Sequence, residues 1–300
     1  MIQIKEGFMP FKGYTTYYRI AEGATCDKTP LLLLHGGPGS THNYFELLDG
    51  LAETGRQVIS YDQLGCGRSY VDGHPELWTL DNWLDELESL RRFLHLDRLH
   101  ILGQSWGGMM ILAWLIYRKP RGVASAILSS TASSSRLWGH EQHRLISFMP
   151  EAEQEAIRKA EATGNFDDPA YLKANDHYTE LYACSITADS PECLRREKRF
   201  GTESYNVAWG PNEYTPWGNL KDFDCTPRLG EITEPCLIIS GTNDESTPLL
   251  AKTMADGIPH SRWELLDGAR HMTFADQPDR YRQLLAGWCG EHDGAGSCGE

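Results

Sequence analysis

No two cysteines in this chain of 300 residues form a C-x-x-C pair, although it carries 8 of them. The sequence signatures of a thioredoxin-type redox centre and of a zinc ribbon are therefore missing. Positive charge is scarce: 28 Lys and Arg stand against 42 Asp and Glu, a formal net charge of −14. Such a field repels phosphate backbones and anionic headgroups, so neither nucleic acid nor membrane is expected as a partner. No apolar run approaches the ~18 residues of a membrane span. The opening Met1-Ile-Gln-Ile-Lys-Glu-Gly7 lacks the charged-then-apolar order of a signal peptide. The expectation is a cytoplasmic protein with reduced, mostly structural thiols, Cys184 and Cys193 being the pair that an oxidising setting would bridge. There is no internal repeat, and the default is a monomer.

A composition of 40% hydrophobic and 23% charged residues is that of an ordinary globular chain with a large core. Most of its carboxylates serve solubility, with a few left to face a cationic substrate. Phe8–Ile20, broken at Lys12-Gly13, reads as an opening β-hairpin. Leu31–His35 and Gln57–Asp62 read as buried strands. From Thr79 to Leu94 the apolar residues fall at helical spacing behind a Thr/Asp start signal. Strand His100–Gly103, a helix to about Tyr117 and strand Val123–Ser129 continue the alternation. Strand signals return at Pro235–Gly241 and Arg262–Leu266, followed by a last helix over Pro278–Cys289. The fold class expected is α/β: a mostly parallel central sheet flanked by helices. From 132 to 224 the pattern is polar and helical, as in Glu151–Ala162 and Pro191–Arg199, without a buried strand. This stretch reads as a helical cap inserted into a core of 1–131 and 225–290, with 291–300 a disordered, Gly-rich tail.

The chemistry begins at Gly103-Gln-Ser-Trp-Gly-Gly108. A serine between glycines at a strand-to-helix junction is a nucleophile elbow, where only small neighbours fit and the hydroxyl stands exposed. Two further strands end in an acid and a histidine: Asp244 follows Leu237-Ile-Ile-Ser-Gly241, and His271 follows Glu264-Leu-Leu-Asp-Gly268. The chain order Ser105, Asp244, His271 is that of the α/β-hydrolase fold. His271 is the candidate general base for Ser105, and Asp244 the group that holds its tautomer. An oxyanion needs two donors: the N–H of Trp106 and, in the glycine-rich turn His35-Gly-Gly-Pro-Gly39, that of Gly37. None of this chemistry calls for a metal or an organic cofactor.

His35-Gly-Gly-Pro-Gly39, Asp62-Gln-Leu-Gly-Cys-Gly-Arg-Ser69 and Gly103-Gln-Ser-Trp-Gly-Gly108, in this order and spacing, resemble the proline iminopeptidase family of α/β-hydrolases, which includes the tricorn-interacting aminopeptidase. The likeness runs over nearly the whole chain. It implies a serine peptidase that releases an N-terminal residue, preferably proline, from a small molecule or short peptide with a free α-amine. Glu213 and Glu245 resemble the family's carboxylates for that ammonium, an interaction that would reject blocked N-termini. Trp138, Tyr205, Trp209 and Tyr214 are candidates to wall a slot for a pyrrolidine ring, with plain cap core as the alternative for each. The Asp62–Ser69 segment is expected to be structural, locked by Arg68 and Asp62.

The same motifs extend to L-amino-acid amidases of the prolinamide type and to related small amide or ester hydrolases, the alternative reading. A non-catalytic small-molecule binding protein on this fold is the more remote one, since such receptors typically lack a triad member and here Ser105, Asp244 and His271 are all present. Epoxide hydrolase and dehalogenase chemistry is disfavoured by a serine where those enzymes need an aspartate.

Overall fold

Leu31–Leu34 shows no apolar alternation because both of its faces are covered: Leu32 and Leu34 join one core cluster, Leu31 and Leu33 another. That is the signature of a central parallel strand. In the computed structural model, which describes residues 1–294, the strands are β1 (Gln3–Phe11), β2 (Tyr14–Glu22), β3 (Leu31–Leu34), β4 (Val58–Tyr61), β5 (Leu99–Gln104), β6 (Val123–Ser129), β7 (Cys236–Gly241) and β8 (Ser261–Leu266). They form one sheet in the order β1-β2-β4-β3-β5-β6-β7-β8. β1, β2 and β4 pair antiparallel, and all other neighbours are parallel. Lys12 and Gly13 turn the first hairpin with positive φ at both positions (47° and 89°), the handedness that matches strand twist.

One face of the sheet is covered by α1 (Leu80–Phe93), α2 (Trp106–Ala113) and α8 (Pro248–Gly257), the other by a 3₁₀ run over His42–Thr54 with α9 (Thr273–Asp276) and α10 (Pro278–His292). The Thr79 hydroxyl caps α1 by accepting from Asn82 N. Every residue of α2 is buried, as expected for the helix that carries the elbow into the core. Between β6 and β7 the chain forms α3 (Ser135–Ile146), α4 (Glu151–Thr163), α5 (Pro169–Tyr182), α6 (Glu192–Arg195) and α7 (Thr202–Ala208). Ile157, Tyr171, Ala174, Tyr178 and Tyr214 give this excursion a core of its own. Trp138, Tyr205 and Trp209 instead pack into the main core.

Two segments differ from expectation. Helix over Pro191–Arg199 shrinks to Glu192–Arg195, none of it buried, because the Arg199 carbonyl accepts from Gly67 N at 2.7 Å and draws the chain out straight. At the other end, α10 runs on to His292, and Asp293 takes a bidentate bond from the buried Arg56 (3.0 and 2.9 Å). Ordered chain thus reaches past 291, where the tail was expected to begin; 295–300 lie outside the described residues. Among the described residues every cysteine is free, Cys184 and Cys193 included. No helix among them is long and apolar enough to cross a membrane.

The Asp62–Ser69 segment is locked by Asp62 and Arg68, but through the backbone of Arg68 and not its guanidinium. Asp62 accepts from His42 N, His42 Nδ1 and the backbone N of Arg68 (2.9, 2.7 and 2.8 Å). The Arg68 guanidinium turns away to Glu6 and the face of Tyr17. Beneath the segment, the fully buried Glu86 accepts from Leu64 N at 3.0 and 3.1 Å, and burial pushes its carboxyl up to about 7. An unfolded chain releases that proton near pH ~4.3. Stability attributable to Glu86 therefore declines as pH rises from about 4 to 7 and stays reduced above that range. We expect Glu86→Gln to melt about 2 °C or more above the wild type at pH 8, with no such gain at pH 5, by differential scanning fluorimetry. A difference that does not change with pH would rule out the buried charge as its source.

Candidate active site

Three parallel strands, β5, β7 and β8, deliver the candidate residues at one edge of the sheet, with β6 between the first two. β5 ends in Gly103-Gln104, and Ser105 follows with φ 54° and ψ −122°, a backbone position that costs on the order of 1–3 kcal/mol for a residue other than glycine. The turn closes only because its neighbours have no side chain. A Cβ on Gly103 would sit 2.2 Å from the Gly107 carbonyl oxygen, and one on Gly107 2.2 Å from that of Leu34. Hydrogen bonds to the next strand hold the strained residue: Ser105 N donates to Ser129 O at 2.9 Å, and the Thr131 hydroxyl donates to Ser105 O at 2.6 Å.

The loops after β7 and β8 bring Asp244 to His271. Nδ1 of His271 donates to Asp244 Oδ1 at 2.9 Å, which also accepts from Ser246 N at 2.7 Å. Both loops are tied to the end of α5, since Glu245 N and His271 N each donate to Tyr182 O (3.3 and 3.0 Å). Nε2 of His271 has Glu245 Oε1 at 3.4 Å. Among the described residues no hydrogen bond joins it to the Ser105 hydroxyl.

Gly37 and Trp106 line the same cavity as Ser105. Among the described residues neither of their N–H groups has a partner, as donors reserved for a ligand would be. The turn that carries Gly37 is braced from behind. Gly36 N donates to the Tyr44 hydroxyl, which donates to Gln104 Oε1 (2.6 and 2.9 Å). His35 donates from Nδ1 to Gly36 O and accepts at Nε2 from Gln63 N (2.8 and 3.0 Å). Burial lowers its pKa to about 4, so the first residue of the H-G-G-P-G motif stays neutral and structural.

Two carboxylates close the other side. Glu213 borders the cavity, its Oε1 accepting from the Tyr205 hydroxyl at 2.8 Å. Its backbone oxygen accepts from the indoles of Trp138 and Trp209 (2.7 and 3.3 Å). Glu245 is 1% exposed, and its Oε2 has no hydrogen-bond partner. Burial, opposed by the charge of His271 and reinforced by Glu213 and Asp244, raises the Glu245 carboxyl to about 8. Burial likewise raises Glu213. For His271 burial acts downward, but the charge of Glu245, the bond and charge of Asp244 and the charge of Glu213 outweigh it and lift the imidazole to about 9.

The α/β hydrolase fold family matches residues 29–278. The chain is 54% identical over 294 residues to a proline iminopeptidase of Lactobacillus helveticus (strain DPC 4571), covering 97% of this chain and 100% of that one. To the proline iminopeptidase of Clostridioides difficile (strain 630) it is 53% identical over 293 residues, again 97% and 100% of the two chains. The chain belongs to the proline iminopeptidase family of α/β-hydrolases. Among solved structures, the proline iminopeptidase of Mycobacterium smegmatis superposes with a TM-score of 0.85 at 32% identity, covering 96% of this chain and 99% of that one. The structure titled VinJ does so at 0.88 and 30%, with the same coverage.

Within this family member the candidate aromatics separate. Trp138 and Trp209 line the cavity, and the Trp138 ring meets His271 edge to face at 5.8 Å. Tyr205 supports Glu213 through its hydroxyl. Tyr214 does not reach the site: it packs in the core of the helical excursion against Tyr178, its hydroxyl on Asn175, because Asn212 Oδ1 accepts from its N–H and turns the chain inward there. Met109 and Ala132 also line the cavity, and Gln142 Nε2 holds the Glu245 carbonyl at 2.8 Å. Nothing in their local sequence marks these residues, since each earns its place through packing with distant chain. The cavity is tight, about 10 Å³, space for one water. A larger concavity of about 590 Å³ beside Trp217 and Phe223 contains none of these groups.

Gly107→Ala tests the close approach behind the elbow. The added methyl meets the Leu34 backbone, and we expect a loss of about 1–3 kcal/mol in urea unfolding together with a loss of hydrolase activity. Wild-type stability in this variant would show that the elbow can move away from β3 without cost.

Proposed function

We propose that this chain is a proline iminopeptidase, a serine hydrolase that releases an N-terminal proline from short peptides. The observation that carries the reading is that two buried carboxylates, Glu213 and Glu245, act on His271, while Glu213 borders the cavity that holds the elbow serine. A nucleophile with a cation site at its side attacks the first peptide bond of a chain and no other. The secondary ammonium of an N-terminal proline has two N–H groups, one for each glutamate. The relatives named proline iminopeptidase, similar over nearly the full chain, support the same residue preference.

In this mechanism the proline ring lies between Trp138 and Trp209, and its carbonyl oxygen points to the N–H groups of Gly37 and Trp106. The Ser105 oxygen attacks the carbonyl carbon while its proton passes to Nε2 of His271. Asp244 holds the imidazole through Nδ1 and stabilises its charged form. The two backbone donors stabilise the tetrahedral oxyanion. As the C–N bond breaks, Nε2 returns the proton to the departing amine. Water, deprotonated by the same nitrogen, then attacks the prolyl ester and frees proline and Ser105. We take 132–224 as a cap that opens to admit the substrate and, closed over the glutamates, leaves no room for a residue preceding the one whose amine they hold. Free thiols throughout the described residues support a reducing compartment, the cytoplasm.

The test is kcat/KM for proline p-nitroanilide, its N-acetyl form, prolinamide and Pro-Gly-Gly. We expect Ser105-dependent cleavage of the free-amine anilide and tripeptide, with the acetylated compound inert; good turnover of prolinamide alone would replace the peptidase by an amidase. Glu213→Gln is expected to lower kcat/KM for the free-amine anilide about 30-fold, the loss of ~2 kcal/mol for a buried charged hydrogen bond. An equal loss on p-nitrophenyl acetate would remove Glu213 from ammonium binding.

A further inference from the structure

The cavity at Ser105 holds the amine end of a substrate and little else. Glu213, Trp138 and Trp209 close it on the side of the helical excursion, and about 10 Å³ remains. Chain beyond the scissile bond has to leave on the other side, between the Gly36–Gly39 turn and the loop of His271. One segment of the excursion lies across that exit. Gly201 N donates to Gly39 O at 2.8 Å, and Gly67 N donates to Arg199 O at 2.7 Å, a seam so close that a Cβ on Gly39 would meet the Gly201 carbonyl oxygen at 2.6 Å. Lys198 immediately precedes this seam.

Its ammonium lies 5.9 Å from the centre of the Tyr44 ring. The Tyr44 hydroxyl accepts from Gly36 N at 2.6 Å, and a Cβ on Gly36 would stand 3.0 Å from that of Ser105. One ring and one glycine separate the lysine from the nucleophile. On its other flank is Cys184, which follows Tyr182 and Ala183, the residues whose carbonyls receive His271 N and Met272 N. The cations around Lys198 are already engaged. In the cleft of about 490 Å³ that it lines with Arg19, Arg68, Arg196 and Arg199, Arg19 is paired with Asp49, Arg68 with Glu6, and Arg196 with Glu46 and Glu192. Arg199 lies on the face of Tyr70 at 3.3 Å, and Arg270, the other cation near Cys184, is held by Asp276. Among the described residues Lys198 has neither a hydrogen bond nor an ion pair, even with Glu197 beside it in the chain. The ionisable groups close enough to act on it are the thiols of Cys66 and Cys184, and no carboxylate is one of them. Partial withdrawal from water lowers its pKa, a cost that an anionic partner would offset.

We propose that Lys198 receives the C-terminal carboxylate of a short peptide whose N-terminal residue is held at Ser105, which makes it the determinant of preference on the leaving side. This rests on reading the chain as a proline iminopeptidase and extends that reading across the scissile bond. The two ends of the substrate then meet opposite charges, the ammonium on the glutamates and the carboxylate on the lysine. A peptide of two or three residues presents both ends to one site, whereas a long chain carries its carboxylate past Lys198. A carboxamide in the same place keeps an oxygen but no charge. Lys198 is open to solvent along its side chain, so the attraction is of the kind that salt screens.

The experiment measures kcat/KM for Pro-Gly and Pro-Gly-Gly against their C-terminal amides, with proline p-nitroanilide alongside, in wild type, Lys198→Met and Lys198→Arg. For at least one of the two lengths the wild type is expected to favour the acid over the amide about five- to tenfold at low ionic strength, and to lose most of that preference in about 1 M NaCl. Lys198→Met should bring the ratio of acid to amide to about one, and Lys198→Arg should keep it. Each ratio is taken within one variant, so a general loss of stability or activity cancels. Equal rates on acid and amide in the wild type overturn the proposal without recourse to any variant, and so does a preference that Lys198→Met leaves intact. In both cases cleavage of the anilide leaves the peptidase reading standing; a wild type that cleaves neither the peptides nor the anilide overturns both.

Discussion

One buried imidazole surrounded by the carboxylates of Asp244, Glu245 and Glu213 sets the terms for the rest of this molecule. Negative charge in a dry place is expensive unless a cation or hydrogen-bond donors answer it. Asp244 is answered by backbone N–H groups and by Nδ1. Glu213 has a tyrosine hydroxyl, and Glu245 has the outer nitrogen of the same ring with one oxygen left over. The site is therefore short of positive charge by construction. The proposed selectivity for free N-termini rests on that deficit, which a substrate ammonium would fill.

Holding such charges at fixed separation demands a stiff frame. The parallel strands β5, β7 and β8 end at one edge of the sheet, and each ends in one of the three residues' loops. Leu31–Leu34 and its neighbours are packed on both faces, each fully buried leucine contributing about 1.5–3 kcal/mol. The elbow presses on this frame through Gly107 against Leu34. The α5 terminus adds a further constraint, because the Tyr182 carbonyl receives N–H groups from both the Glu245 and the His271 positions. A displacement of the helical excursion is thereby felt at both loops.

Much of this frame is legible along the chain. The hairpin turn at Lys12-Gly13, the Thr79-capped helix and the buried strands declare themselves because φ preference, capping and hydrophobic runs are local properties. The positions of Ser105, Asp244 and His271, each just past a strand end, are legible for the same reason. Pro191–Arg199 misleads, since a helical pattern without a buried face yields to a single backbone bond from Gly67 to Arg199. Tyr214 misleads similarly: an aromatic near Glu213 in sequence turns away from it in space.

By itself the sequence determined the alternation of strands and helices, the order of the candidate nucleophile, acid and base, and the glycines on which the elbow depends, all of them matters of local geometry and short-range sterics. Only the tertiary structure decided the partners of each charge. Trp138 comes to rest beneath Glu213, Gln142 behind Glu245, and Nε2 of His271 opposite a carboxylate instead of a hydroxyl. Those pairings join residues far apart in the chain, and their geometry is set by how helices pack over the sheet edge, a long-range outcome that no local pattern of residues encodes.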